Sequence, residues 1–214
     1  MRLLLLSLCL ILTVHPATSA DKAVAYGPSL SFIAYRKGEA IGRHELTFVR
    51  NGSRLTVATR IELAVKLMGF TAYRYGHVAQ EIWEGEKLFS LSARTDDNGR
   101  PYEVRAERTP AGLTVRSNDR LEILSGELLP SSHWNLAQVG QSVLLNTQTG
   151  REARVRIVLI GREQVRTSSG ILHASRHSYR GDVEMDQWFD DRGRWVKTAF
   201  TASDGSRVEY VLND

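Results

Sequence analysis

The regular return of tight-turn residues between short runs of alternating apolar and polar side chains constrains the fold of this chain most. Residues 54–67 show the alternation clearly, because apolar side chains recur at every second position, which is the period of a β-strand. The preceding Asn51-Gly52 is the dipeptide most typical of a two-residue β-hairpin. Runs of this kind bury their apolar faces by pairing with their neighbours, so the sequence predicts an antiparallel β meander.

The same pattern extends over most of the chain and predicts an all-β fold, an antiparallel meander that forms an open or closed β-barrel. A barrel is favoured over a sandwich because closure removes exposed strand edges. For residues 161–170 we expect a short strand or a turn. In strand 154–160, Val158 and Ile160 share a face with Arg154 and Arg156, so apolar side chains lie on both faces at the end of the strand, and we expect that end to be covered on both sides. Strands are predicted over residues 30–36, 40–50, 54–67, 71–83, 88–95, 102–108, 113–116, 121–124, 154–160, 172–179, 182–189, 195–201 and 207–212.

One long internal segment, residues 126–150, does not fit the hairpin series. We interpret it as a crossover that joins strand groups 30–125 and 151–212 within a single domain, residues 21–214. Ser132 is the expected cap of one short helical turn near residues 132–138. The polar side chains of the crossover either satisfy its irregular backbone or form a mouth over the barrel, with Trp134 as an apolar plug.

The first 20 residues have the pattern of a secretory signal peptide. Arg2 precedes an apolar run of about a dozen residues, and small residues lead to a cleavage site near Ala20. A helix that crosses a bilayer needs roughly 20 apolar residues, so the run favours cleavage over a permanent anchor. Cys9 is the only cysteine, and its removal leaves no disulfide or thiolate ligand. We therefore expect a periplasmic or secreted protein.

The charge of the chain is modest, with 28 basic and 24 acidic residues and a formal net charge of +4. Interleaved signs predict a solvated outer face, and the chain has no aromatic and basic platform for nucleic acid. One region offers a second interpretation, a surface that meets anionic lipid head groups or an envelope protein. Its basic residues are Arg151, Arg154, Arg156, Arg162 and Arg166.

The predicted strand 71–83 carries an aromatic face with polar tips. Alternation places Tyr73, Tyr75, His77, Glu81 and Trp83 on this face. Such a composition suits either a cross-strand aromatic ladder or the lining of a cavity in which a few polar groups orient an apolar guest. With His133, Trp134 and Asn135 of the crossover, these residues are the candidate ligand-binding set.

The sequence predicts no catalytic residue, metal ligand or cofactor. His173 and His177 lie on a predicted strand, where their Cα atoms stand roughly 13 Å apart and cannot share a zinc ion. His77 and Glu81 are potential base and acid, but no nucleophile accompanies them at a recognised spacing. An enzyme without a recognisable motif is therefore the least favoured of three functional hypotheses.

Several short motifs are spread over nearly the whole chain after the first 20 residues. They are Gly38 with Ile41-Gly42-Arg43-His44, Tyr73-Arg74-Tyr75-Gly76-His77, Glu81-Ile82-Trp83, Ser132-His133-Trp134-Asn135, Leu145-Asn146-Thr147-Gln148-Thr149-Gly150, and Gly193-Arg194-Trp195-Val196 with Asp204-Gly205. Together they resemble an uncharacterised domain-of-unknown-function family of exported Gram-negative bacterial proteins. The resemblance implies no established activity and no assigned catalytic residues, and more remotely the meander is similar to the half-barrel of periplasmic lipoprotein carriers. The chain lacks the amphipathic lid helices of those carriers, which argues against lipoprotein transport.

The preferred prediction is a periplasmic, non-catalytic binding protein for an amphiphilic or hydrophobic ligand. The alternative is a cell-envelope interaction or scaffold module that acts through its surface. For the first hypothesis we expect Trp134 and Asn135 to lie near a barrel mouth, close to strand 71–83.

Overall fold

The computed structural model describes residues 27–118 and 120–214. The predicted signal peptide, residues 1–20, lies outside this range. The described residues form fifteen strands and one short 3-10 helix, Leu136–Gly140. The strands are β1 Ser29–Arg36, β2 Glu39–Asn51, β3 Arg54–Leu67, β4 Phe70–Glu84, β5 Lys87–Asp97, β6 Arg100–Thr109, β7 Gly112–Ser117, β8 Arg120–Leu124, β9 Leu129–Pro130, β10 Val143–Leu145, β11 Glu152–Thr167, β12 Gly170–Gly181, β13 Met185–Asp190, β14 Trp195–Thr201 and β15 Arg207–Leu212.

All fifteen strands belong to one sheet, which confirms the predicted all-β fold. Their order is β8-β7-β6-β5-β4-β3-β2-β1-β15-β14-β13-β12-β11-β10-β9, and only β9 and β10 pair in parallel. The first and last long strands of the meander, β1 and β15, pair through residues 32–36 and 208–212. Hydrogen bonds do not close the sheet among the described residues, so the barrel is open, with β8 at one edge. Within the same residues, no helix has the length and apolar character that a bilayer crossing requires.

The crossover lies inside the curved sheet. The Trp134 ring packs edge-on against Trp83 of β4 and Phe48 of β2, with centroid distances of 5.5 Å and 5.7 Å. Its neighbour His133 stacks on Trp195 of β14 at 4.9 Å. One segment therefore contacts strands from both halves of the sheet, and a single apolar core results.

The helical turn of the crossover begins later than the sequence predicts. Asn135, not Ser132, caps the 3-10 helix, because its side-chain oxygen accepts a hydrogen bond from the backbone nitrogen of Ala137 at 3.0 Å. The backbone carbonyl of Ser132 instead accepts a hydrogen bond from the Gln138 side chain. Both residues have cap-forming side chains, so local sequence alone does not distinguish them.

The predictions for residues 154–170 are wrong in two respects. Strand β11 continues through Gly161 to Thr167, because a bulge between Leu159 and Gly161 absorbs one extra residue without ending the pairing with β12. Val158 and Ile160 are not covered on both sides, since their exposed fractions are 41% and 54%. On the side away from β12, β11 pairs only through residues 152–154 within the described chain. Val155 also donates a backbone hydrogen bond to Ser142 at 2.8 Å, and the strand beyond it is an open edge.

The β3–β4 hairpin extends beyond both of its neighbours. Pairing with β2 stops at Leu63 of β3, and pairing with β5 stops at Tyr75 of β4. Beyond these points β3 and β4 pair only with each other. The inner side of this extension forms part of the wall of a cavity.

Candidate ligand-binding site

An outer cavity of about 710 Å³ opens between the β3–β4 hairpin and the ends of β1, β2, β14 and β15. Apolar side chains from several strands form its wall, and Tyr73, Tyr75 and Tyr210 add polar tips. Arg36 and Asp204, which form an ion pair, also line it. The apolar lining residues are Ile41, Ile61, Leu63, Val65, Ala72, Phe200, Ala202 and Val208.

A smaller inner chamber of about 180 Å³ adjoins the outer cavity, and its lining is more polar. Ile61, Tyr75, His133 and Gln148 line both spaces, so the two are adjacent. The Tyr75 hydroxyl donates a hydrogen bond to the Gln148 side-chain oxygen at 3.2 Å and thereby joins β4 to the crossover where the spaces meet. The polar lining residues of the inner chamber are His44, Thr59, Tyr75, His77, Glu81, Ser131, Ser132, His133, Asn146, Thr147 and Gln148.

Strand β4 connects the two spaces to the core because its inward side chains lie at every second position. Tyr73 and Tyr75 line the outer cavity. His77 and Glu81 line the inner chamber, and Trp83 lies fully buried in the packed core. The five candidates on this strand therefore share the inner face that the alternation predicts.

The two tyrosines at the cavity entrance are held by polar partners. The Tyr73 hydroxyl donates a hydrogen bond to Asp97 at 2.6 Å across β4 and β5. Burial, the largest cause, and the Asp97 carboxylate raise the pKa of Tyr73, and burial likewise raises that of Tyr75. Both phenols thus remain neutral donors over the whole range of ordinary pH.

Three buried histidines surround the inner chamber. The rings of His44 and His133 lie 5.5 Å apart, and His77 Nδ1 lies 2.8 Å from the Thr95 hydroxyl. Burial lowers the pKa of His77 and that of His133 to about 4 each, and it lowers the pKa of His44 well below its usual value. All three imidazoles are therefore neutral at neutral pH.

Glu81 is a fully buried carboxyl group at the inner end of the chamber. Its Oε2 accepts hydrogen bonds from the indole nitrogens of Trp83 at 2.8 Å and Trp134 at 3.1 Å. The Ser132 hydroxyl lies close enough to favour the ionised form, but neither it nor Glu81 Oε1 completes a hydrogen bond within the described residues. Burial outweighs these interactions and raises the pKa of Glu81, which favours the protonated acid.

The crossover candidates have different positions. His133 lines both spaces, whereas Trp134 is fully buried beside Trp83 and Asn135 caps the 3-10 helix. Trp134 thus lies close to β4, as expected, but in the packed core and not at the cavity entrance. Its indole helps to hold Glu81 in place.

Sequence reasoning missed several residues of the inner chamber, among them His44 and Thr59. Both ring nitrogens of His44 and the hydroxyl of Thr59 are buried without a hydrogen-bond partner in the described chain. An unsatisfied buried polar group costs about 1–3 kcal/mol. His44 shares its strand face with Leu46 and Phe48, so the alternation within residues 40–50 contained the signal that could have identified it.

Within the described residues, neither His77 nor His133 has the carboxylate partner of a Ser-His-Asp triad. His77 interacts with a threonine hydroxyl and His133 with the Gln187 amide, so each imidazole has a neutral partner and not an orienting carboxylate. Within residues 27–118 and 120–214, no group of three or more His, Cys, Asp or Glu side chains has a geometry that could hold a metal ion. The arrangement instead combines an apolar wall with inward polar groups, which is typical of a binding cavity.

The fold defines a class, the β-barrel-like proteins. The chain is similar to the crystal structure of a beta-barrel-like protein of domain of unknown function DUF1849 from Brucella abortus, with a TM-score of 0.61 and 11% sequence identity. The match covers 86% of this chain and 94% of the Brucella chain. At this identity the likeness concerns the fold alone.

The family model of the domain of unknown function DUF6134 matches residues 32–213, and the chain belongs to this family. Membership in an uncharacterised family, which the motifs predicted, is therefore confirmed. A search of curated proteins gives no match.

Proposed function

We propose that this chain is an exported, non-catalytic binding protein for an amphiphilic or hydrophobic ligand. The observation that carries the proposal is an apolar outer cavity of about 710 Å³ that lies next to a polar inner chamber of about 180 Å³. Ligand sites commonly occupy several hundred cubic ångströms and combine apolar walls with a few polar groups. An amphiphile likewise combines an apolar tail with a polar head group.

The experiment is native mass spectrometry, with lipid extraction, of protein purified without detergent. We expect a bound amphiphile in the wild type and its loss in Val65→Trp, because Val65 lines the outer cavity and the indole would fill part of it. Val49→Trp is the matched control, since Val49 is 61% exposed. A wild-type protein that is consistently free of ligand, or equal occupancy in both variants, would refute the proposal.

A second candidate function is that of a cell-envelope interaction module that acts through the surface of β11. Its exposed segment Val158, Leu159 and Ile160 lies between exposed arginines on the open edge of the sheet. Arg162 pairs with Asp191, whereas Arg156 and Arg166 have no carboxylate partner among the described residues. An open edge with apolar and basic side chains suits strand addition by a protein partner or contact with anionic lipid.

A pull-down from an envelope extract separates the two functions. If the surface acts, Arg156→Glu with Arg166→Glu abolishes capture of a partner, and Val65→Trp leaves it unchanged. Flotation with phosphatidylglycerol vesicles detects the lipid alternative. If both the arginine variants and the cavity variant leave capture and flotation unchanged, the surface hypothesis fails.

A further inference from the structure

The inner chamber contains a set of polar groups that the protein itself does not satisfy. His44 is 2% exposed and Thr59 is 8% exposed, and both line the chamber. Both ring nitrogens of His44 and the Thr59 hydroxyl lack hydrogen-bond partners within the described residues, whereas the unpartnered Glu81 Oε1 has the Ser132 hydroxyl close by. Buried polar groups in folded proteins nearly always have partners, so this set indicates that a polar guest completes the chamber.

Burial disfavours the charged form of every titratable group in the chamber. Lysine and arginine are absent from its lining among the described residues. Its three histidines have lowered pKa values, and the pKa of its one carboxyl group, Glu81, is raised. A phosphate or carboxylate group that entered would lose its hydration without meeting a cation, and an ammonium group would meet only a carboxyl group whose ionised form burial disfavours.

The unpartnered imidazole and hydroxyl groups of the inner chamber can each donate and accept a hydrogen bond, as a hydroxyl group of a ligand can. A neutral imidazole donates with one nitrogen and accepts with the other, and the threonine hydroxyl also does both. A hydroxyl of the guest can therefore both donate to and accept from the same wall. The protonated form of Glu81, which burial favours, adds one donor that the guest shares with the nearby Ser132 hydroxyl.

The volume limits the size of the guest. At roughly 30 Å³ for each water molecule, a chamber of about 180 Å³ has room for about six waters or for a group of glycerol's size. A disaccharide is too large. The chamber adjoins the outer cavity along Ile61, Tyr75, His133 and Gln148, so a chain attached to this group reaches the apolar space by passing this boundary, where Tyr75 hydrogen-bonds to Gln148.

We propose that the inner chamber, at His44, Thr59, His77 and Glu81, binds the uncharged, hydroxyl-bearing head group of a single-chain amphiphile of the monoacylglycerol type. The tail then lies in the outer cavity against Leu63 and Val65. This assignment rests on the proposed binding function and adds the class of head group that the site selects.

The test compares ligands that share one tail and differ in the head group. Dissociation constants are measured by isothermal titration calorimetry at neutral pH for monododecanoylglycerol, dodecanoate, dodecyl phosphate and dodecylammonium. We expect the glyceride to bind at least about tenfold more tightly than each charged compound, because only the charged heads lose hydration without compensation.

Matched variants test whether the inner chamber causes the preference for an uncharged head group. Thr59→Val removes one hydroxyl at constant shape and is expected to weaken glyceride binding about fivefold to tenfold while affinity for dodecanoate stays unchanged. Thr56→Val, on the same strand, leaves every affinity unchanged, because Thr56 does not line either space. Circular dichroism verifies that both variants fold.

The outcomes separate the two proposals. Equal affinity for all four compounds, with no effect of Thr59→Val, refutes the head-group assignment but leaves amphiphile binding intact. Tighter binding of a charged compound refutes it as well. If none of the four compounds binds, while the wild type also carries no amphiphile on purification, both proposals fail.

Discussion

At the residue scale, the buried imidazoles and the buried carboxyl group of Glu81 change the free energy of unfolding in opposite directions as the pH changes. Desolvation keeps His77 and His133 neutral in the folded chain, and it favours the protonated form of Glu81. Each group therefore binds protons differently in the folded and unfolded states. This difference makes the free energy of unfolding depend on pH.

The free energy of unfolding should fall as the pH is lowered from about 6.5, the pKa of an unfolded histidine, toward about 4, the pKa of His77 and His133 in the fold. In this window the unfolded chain binds the additional protons, so each of the two histidines contributes a slope of up to about 1.4 kcal/mol per pH unit. Glu81 acts in the opposite direction, since its stabilising contribution is lost as the pH rises through its raised pKa. Urea denaturation across the window measures the total slope.

The histidine contribution is isolated by His77→Asn, which should reduce the slope between about pH 6.5 and pH 5. His173→Asn is the control, because His173 lies on β12 away from the chamber. An identical pH profile for the wild type and His77→Asn would contradict the assignment of a neutral, buried imidazole at this position.

At the element scale, the predictable part of the structure is the part that local periodicity determines. Alternation located β4 and its inner face correctly, because a half-buried strand repeats every two residues. The sequence did not predict the bulge through which β11 continues past Gly161. A glycine can mark either the end of a strand or a bulge within it, and here only the continued pairing with β12 distinguishes the two. The interior position of Trp134 depends on contacts with Phe48 and Trp83, which are distant in sequence and leave no local signal.

The β2–β3 pair depends on a close backbone approach at Gly42. An added Cβ there would lie 1.9 Å from the carbonyl oxygen of Glu62, so Gly42→Ala forces the two strands apart. We expect a loss of about 3 kcal/mol in the free energy of unfolding, measured by urea denaturation. Gly76→Ala is the matched control on β4, where an added Cβ meets no atom within 4 Å, and its effect should be within about 1 kcal/mol. Equal effects of the two substitutions would contradict the close approach.

At the scale of the whole molecule, the open sheet is held together by the interior crossover and by the pairing of β1 with β15, the first and last strands along the chain. β15 pairs with both β1 and β14, and its inward residues Val208, Tyr210 and Leu212 are buried. The Trp195 ring of β14 stacks on Phe32 of β1 at 3.7 Å across this junction. The two strand groups consequently share one core and should unfold together.

Deletion of residues 207–214 should therefore abolish cooperative unfolding of the entire chain, because β1 and β14 lose their common partner. Tryptophan fluorescence and circular dichroism during urea denaturation measure this loss. Deletion of Asp214 alone is the control, since its contacts are surface interactions with Ser168, Ser169 and Arg194. A truncated chain that retains a cooperative transition would show that the strand groups fold separately.

The pairing of β1 with β15 also sets an order of events for a chain that emerges from its N-terminus. β1 pairs with β2 soon after both are made, but Phe32 on its inner face stacks on Trp195 of β14, which follows much later in the chain. The burial of this apolar face therefore requires the C-terminal strands to be present. A prematurely ended copy would thus display an apolar strand that proteases and chaperones recognise.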